Sequence, residues 1–197
     1  SGSPFGKLEV LARPVIENGL INVASCYAND EKLVEKIGGV RINVYYENNL
    51  VKTFNYQLGD EISLNGLAFG KYIIKVQVLG DLLGLFDSDE FSEGVEIDKL
   101  ATPNVELENG EFVWAPIKDS EGVLVVNYAY GFLSNENDGF VLNLNASAEN
   151  ADSKIITVLP DDLNNPNLKY SIRVVATESG GENNYIQSDV KTVEFYN

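Results

Sequence analysis

Leu168-Lys169-Tyr170-Ser171-Ile172-Arg173-Val174-Val175-Ala176 is the stretch on which the reading of this 197-residue chain turns. Tyr170, Ile172, Val174 and Ala176 alternate with Lys169, Ser171 and Arg173, the period-two pattern of a β-strand with one face in a core and the other in water. Lys71-Tyr72-Ile73-Ile74-Lys75-Val76 matches its start at an offset of 98 residues, with Tyr72, Ile74 and Val76 inward and Lys71 and Lys75 outward. At the same offset Val95-Glu96-Ile97 meets Val193-Glu194-Phe195. Asn18-Gly19-Leu20-Ile21-Asn22-Val23-Ala24 meets Asn109-Gly110-Glu111-Phe112-Val113-Trp114-Ala115 at an offset of 91. Matched blocks in one order point to an internal duplication whose intervening loops differ in length. Each Asn-Gly pair supplies the positive φ of a tight turn between two strands.

The pattern predicts seven strands per copy. In the first copy they begin near Val10, Leu20, Val40, Leu50, Glu61, Lys71 and Phe91. In the second they begin near Asn104, Glu111, Val123, Phe140, Lys154, Lys169 and Tyr185. Val, Ile, Tyr and Phe are plentiful, and 17 glycines and six prolines suit many short strands with turns between them. Leu100-Ala101-Thr102-Pro103 is too short a connection to act as a flexible tether, so the two copies are expected to form an elongated, semi-rigid pair.

Pro103 before the first strand of the second copy, Trp114 on its second strand, Tyr130 on its third, Tyr170 to Ala176 and Ser188 together resemble fibronectin type III domains of bacterial extracellular proteins. The resemblance implies an all-β chain of two tandem seven-stranded immunoglobulin-like β-sandwiches, residues 5–99 and 100–197. It makes Trp114 a core residue and Tyr170 the residue that closes the corner between the fifth and sixth strands. The first copy departs from the pattern, with Val23 where Trp114 stands and an insertion over residues 27–39. The function implied is a non-catalytic spacer or adhesion module of a larger secreted or surface-anchored protein. Such a module would be a monomer that contacts neighbouring domains or another surface protein. The alternative is an accessory carbohydrate-binding unit of a polysaccharide-degrading enzyme.

Charge and composition narrow the function by exclusion. Thirty acidic residues against 14 basic ones give a formal charge of −16, which repels phosphate backbones and anionic membranes. Histidine is absent, removing the usual general base, the usual zinc ligand and every Ser/His or Cys/His arrangement. With one cysteine there is no internal disulfide, and Cys26 reads as a small apolar core residue near a strand end. No cofactor motif is visible, no apolar run is long enough to span a bilayer, and no signal peptide is recognisable. Ser1-Gly2-Ser3 and the lack of any methionine read as marks of an excised fragment.

Residues 28–39 read as a short inserted helix, capped by Asn29 or Asp30, ended by Gly38 and apolar along Leu33, Val34 and Ile37. The loop Leu79-Gly80-Asp81-Leu82-Leu83-Gly84-Leu85-Phe86 is unusually apolar. Leu82, Leu83, Leu85 and Phe86 either cover that helix as a satellite core or form an exposed tip that docks on a partner. The matching loop of the second copy, residues 177–184, is polar. Asp87-Ser88-Asp89-Glu90 is the densest acidic cluster, but it lacks calcium-loop spacing and reads as solvated charge. Tyr45 and Tyr46 are adjacent on one strand, and Tyr128 and Tyr130 share a face of another. A carbohydrate-binding role would need an exposed aromatic strip around Tyr46 or Tyr130, whereas packing or cross-strand stabilisation is the plainer explanation.

Overall fold

The computed structural model of the chain describes residues 6–27, 35–81, 85–135, 144–161, 163–178 and 183–196. Among them the chain is all-β apart from a four-residue helix, α1 (Ala24–Tyr27). The first half supplies β1 (Val15–Glu17), β2 (Leu20–Asn22), β3 (Ile37–Tyr46), β4 (Asn49–Tyr56), β5 (Gly70–Gly80) and β6 (Val95–Lys99). The second supplies β7 (Glu106–Glu108), β8 (Glu111–Trp114), β9 (Asn127–Ser134), β10 (Leu144–Ser147), β11 (Ile155–Val158), β12 (Lys169–Ala176), β13 (Tyr185–Ile186) and β14 (Lys191–Tyr196).

These strands form a β-sandwich-like arrangement. In the second half a three-stranded sheet, β11-β8-β7, faces a four-stranded one, β10-β9-β12-β14. Between them lie Phe112, Trp114, Tyr128, Tyr170, Ile172, Val174 and Phe195. The alternation read from the sequence holds along β12: Tyr170, Ile172, Val174 and Ala176 are buried, while Lys169, Ser171 and Arg173 are only partly covered. Aromatic contacts thicken this core, with Trp114 edge-on to Tyr128 and Tyr170 stacked on Phe195. Trp114 Nε1 and Thr157 Oγ1 are buried with no hydrogen-bond partner among the described residues.

The first half builds its core between the β1-β2 hairpin and the sheet β13-β6-β5-β3-β4, from Ile21, Val40, Ile42, Val44, Ile74, Val76 and Ile97. Both Asn-Gly pairs make the expected turns. Asn18 and Gly19 have φ of 51° and 75°, and Asn109 and Gly110 have 51° and 80°. A second device recurs in the two halves. Ser88 Oγ accepts from Val78 N and donates to Asp89 O, and Ser188 Oγ accepts from Ala176 N and donates to Asp189 O. In both places a buried serine satisfies main-chain groups where the ladder between two strands is interrupted.

Several expectations shift. The strand predicted near Glu61 does not form. Extended chain there gives one cross-link, Ile21 N to Ile62 O. The strand predicted near Phe91 starts at Val95, because residues 88–91 hold to β5 through single main-chain bonds rather than a continuous ladder. Those predicted near Val10 and Val123 begin at Val15 and Asn127, and Phe140 lies outside the described residues. Of the inserted helix, residues 28–34 are outside the described set, while Ile37, Gly38 and Gly39 open β3 rather than end a helix. Ile37 pairs with Gly80 and Gly39 with Leu79 on β5, so this stretch extends a strand instead of closing a helix. Cys26 lies in α1, not at a strand end, but is fully buried as expected.

Candidate functional site

The strand predicted from Tyr185 onward divides, and its two parts join different sheets. β14 pairs with β12 in the second half, whereas β13 crosses over and pairs parallel with β6 of the first half, Tyr185 opposite Asp98 and Ile186 opposite Lys99. Asp98 N donates to Asn184 O at 2.9 Å, and Leu100 N donates to Ile186 O at 3.0 Å. Ile186 is fully buried among the first half's core residues. Covering a side chain of that size contributes about 2 kcal/mol. Beside it Gln187 N donates to Gly19 O at 2.9 Å.

Three charged residues, Asp98, Lys99 and Asp119, are buried at this junction. Lys99 is 1% exposed, and its Nζ donates to Ser63 O (2.9 Å), Gln187 O (3.1 Å) and Asp189 Oδ1 (2.9 Å). Burial pulls its pKa below the ordinary lysine value, opposed by the Asp189 carboxylate. Asp189 also accepts from Gly66 N through both oxygens. Asp98, likewise buried, accepts from Ser120 Oγ at 2.6 Å and from Ser120 N. Burial raises its carboxyl above the usual range, opposed by the Ser120 bonds. Asp119 accepts from Tyr185 Oη at 2.8 Å and from the main-chain N–H groups of Glu121 and Val123. Burial alone would raise Asp119, but the bonds from Val123, Tyr185 and Glu121 outweigh it and its pKa is lowered. Lys71 pairs with Glu121 and, at 3.4 Å, with Glu96. The buried polar groups thus have partners, and the bonds of Lys99 to Gln187 and Asp189, of Asp189 to Gly66 and of Ser120 to Asp98 run from one half to the other, as a buried polar network requires.

Next to the junction the first half's core is open at one end. There Tyr46, Val51, Lys52, Phe69 and Tyr72 line a groove of about 740 Å³, and Ser120 and Glu121 of the second half close one side. Tyr46 ends β3 on the same side as Val44 and is half-exposed, while Tyr72, near the start of β5 on the same side as Ile74, packs partly buried against the edge of the first core. Their centroids are 6.1 Å apart, edge to face. Tyr46 is 51% exposed and Phe69 50%. Phe69 is carried by the turn-rich segment before β5, which is held by Tyr72 Oη to Ala68 O and Lys52 Nζ to Gly66 O.

The apolar loop divides at Leu85. Leu82 and Leu83 lie outside the described residues. Leu85 packs against the small cluster Leu8, Ile37 and Val78, so this part of the loop joins a satellite core. Phe86 is 61% exposed, and its main chain bonds Gly6 and Leu8. The acidic cluster after it is already engaged: Asp87 Oδ1 accepts from Gly80 N, Asp89 pairs with Lys7 at 2.6 Å, and Glu90 accepts from Asn43 and Tyr45. Among the described residues no group of three or more Cys, Asp or Glu is placed to hold a metal ion. Of the tyrosines singled out, Tyr128 is fully buried with its hydroxyl between Ile117 N and Val125 O. Tyr130 is half-buried against Trp114 and Phe132. Tyr45 lies on the outer face under Lys75, its hydroxyl donating to Glu90. Cys26 has no polar activator, and burial pushes its thiol up to about 11, leaving it unreactive near neutral pH.

The contribution of Phe69, Lys99, Ser120 and Asp189 was not foreseen from sequence. Compared with known proteins, the chain matches no family model and no curated sequence.

Proposed function

We propose that the chain is a non-catalytic spacer or adhesion module of a larger secreted or cell-surface protein: two tandem fibronectin type III-like β-sandwiches whose relative orientation is locked, holding neighbouring domains apart and making protein contacts at its own ends. The crossover of β13 onto β6, with Lys99 and Asp189 beneath it, carries the reading. A hinge between independently tumbling units would not place a fully buried isoleucine and a fully buried lysine across its boundary. The second half supports the family likeness by its partition of strands: β7, β8 and β11 in one sheet, and β9, β10, β12 and β14 in the other. The surface location rests on that likeness alone.

Rigidity is tested by residual dipolar couplings measured separately on the two halves of the intact chain. One alignment tensor fitting both sets supports the spacer. Two tensors of different magnitude would remove its mechanical basis.

A further inference from the structure

Beyond the spacer role, the geometry points to a binding site for a neutral oligosaccharide in the groove at the open end of the first core, formed by Tyr46, Phe69, Tyr72, Lys52 and Glu121. The volume of about 740 Å³ falls in the range of small-molecule sites, roughly 300–1,000 Å³. Two half-exposed rings at the mouth of one groove are not explained by core packing, since both stand outside the core cluster. Exposed aromatic surface of this kind marks contact with a ligand that has an apolar face.

The polar groups between the rings decide the ligand's charge. Lys52 and Lys71 supply donors, and Glu121 and Ser120 supply acceptors, so the two signs are balanced within the groove. An anionic ligand would meet Glu121, nearby Glu96 and a chain of formal charge −16. A cationic one would meet both lysines. A sugar ring satisfies the remaining requirements: its C–H face lies on an aromatic ring while its hydroxyls both donate and accept. Tyr46 Oη has no hydrogen bond to protein among the described residues, which leaves it available to such hydroxyls. The wall of Ser120 and Glu121 comes from the second half and is fixed by the Asp98 and Lys71 contacts, so the site is complete only while the junction is closed.

The test is a titration of the isotope-labelled intact chain with cellohexaose, xylohexaose, mannohexaose and chitohexaose, followed by amide chemical shifts. With at least one of them, the amides of Phe69, Gly70, Ser120 and Glu121 should shift together. Phe69→Ala and Tyr46→Ala should each weaken that binding about tenfold, as expected for losing one stacking platform. Tyr196→Ala, which removes an exposed ring elsewhere, should leave it unchanged. Unaltered spectra of the two cores in each variant would show that the fold survives. No groove shifts with any of the four sugars would overturn the assignment, as would shifts that persist undiminished in both variants. A groove that responds instead to proline-rich peptides would overturn it too.

Discussion

Replacing Lys99 with methionine removes the junction's buried cation while keeping most of its volume. Ser63 O and Gln187 O each lose a charged donor, about 1 kcal/mol apiece. The pair with Asp189 adds about 1 kcal/mol, discounted because that carboxylate is 29% exposed and retains Gly66 N. Relief of the desolvated ammonium returns about 1 kcal/mol, leaving a net loss of about 2 kcal/mol. With a urea dependence of about 2 kcal/mol per molar, the unfolding midpoint should fall by about 1 M. Trp114 is the single tryptophan and lies in the second core, so its fluorescence follows that half, while far-ultraviolet dichroism follows both. The parent should show coincident transitions, and Lys99→Met should separate them. A variant within about 0.5 kcal/mol of the parent, with transitions still superimposed, would refute the reasoning.

The two Asn-Gly turns give a paired comparison. Gly110→Ala meets open space and suffers only backbone strain, about 1 kcal/mol, whereas Gly19→Ala also brings a methyl to 3.1 Å from the Gln187 main chain and should cost more. Reversed order in urea melts would contradict the junction packing. Thr157→Val replaces a buried, unpartnered hydroxyl by a methyl of similar shape and should stabilise by about 1 kcal/mol, checked by thermal melts. Burial pushes the Tyr128 phenol to about 12 against an ordinary 10.0, so the folded state retains a proton that the unfolded state loses. The stability this represents is present below pH 10 and lost as pH rises toward 12, by about 2 kcal/mol. Tyr128→Phe, compared with the parent over that range, should lack this part of the alkaline slope; identical slopes would contradict it.

The alternation at Tyr170 to Ala176 and the two Asn-Gly turns were legible because each is a local signal with one conformational meaning. Trp114 was legible as core for a similar reason, since a large ring between apolar neighbours has few places to go. What the sequence hid was decided at long range. Tyr185 to Tyr196 reads as one strand, and nothing in its pattern says that its first two residues leave for a sheet built ninety residues earlier. The burial of Lys99 depends on carbonyls from Ser63 and Gln187 that periodicity cannot bring together. The groove was half visible. Tyr46 could be singled out on its strand, but Phe69 comes from a turn and Ser120 and Glu121 from the other half of the chain.

The most direct test of the locked junction is native-state hydrogen exchange at the amides of Asp98 and Leu100, which donate to Asn184 O and Ile186 O across the boundary. Both should be protected to the same free energy as core amides such as Ile74 and Ile172, opening only with global unfolding. Fast exchange at these two positions, with the cores still protected, would mean that the halves separate freely and that the chain is a flexible pair rather than a spacer.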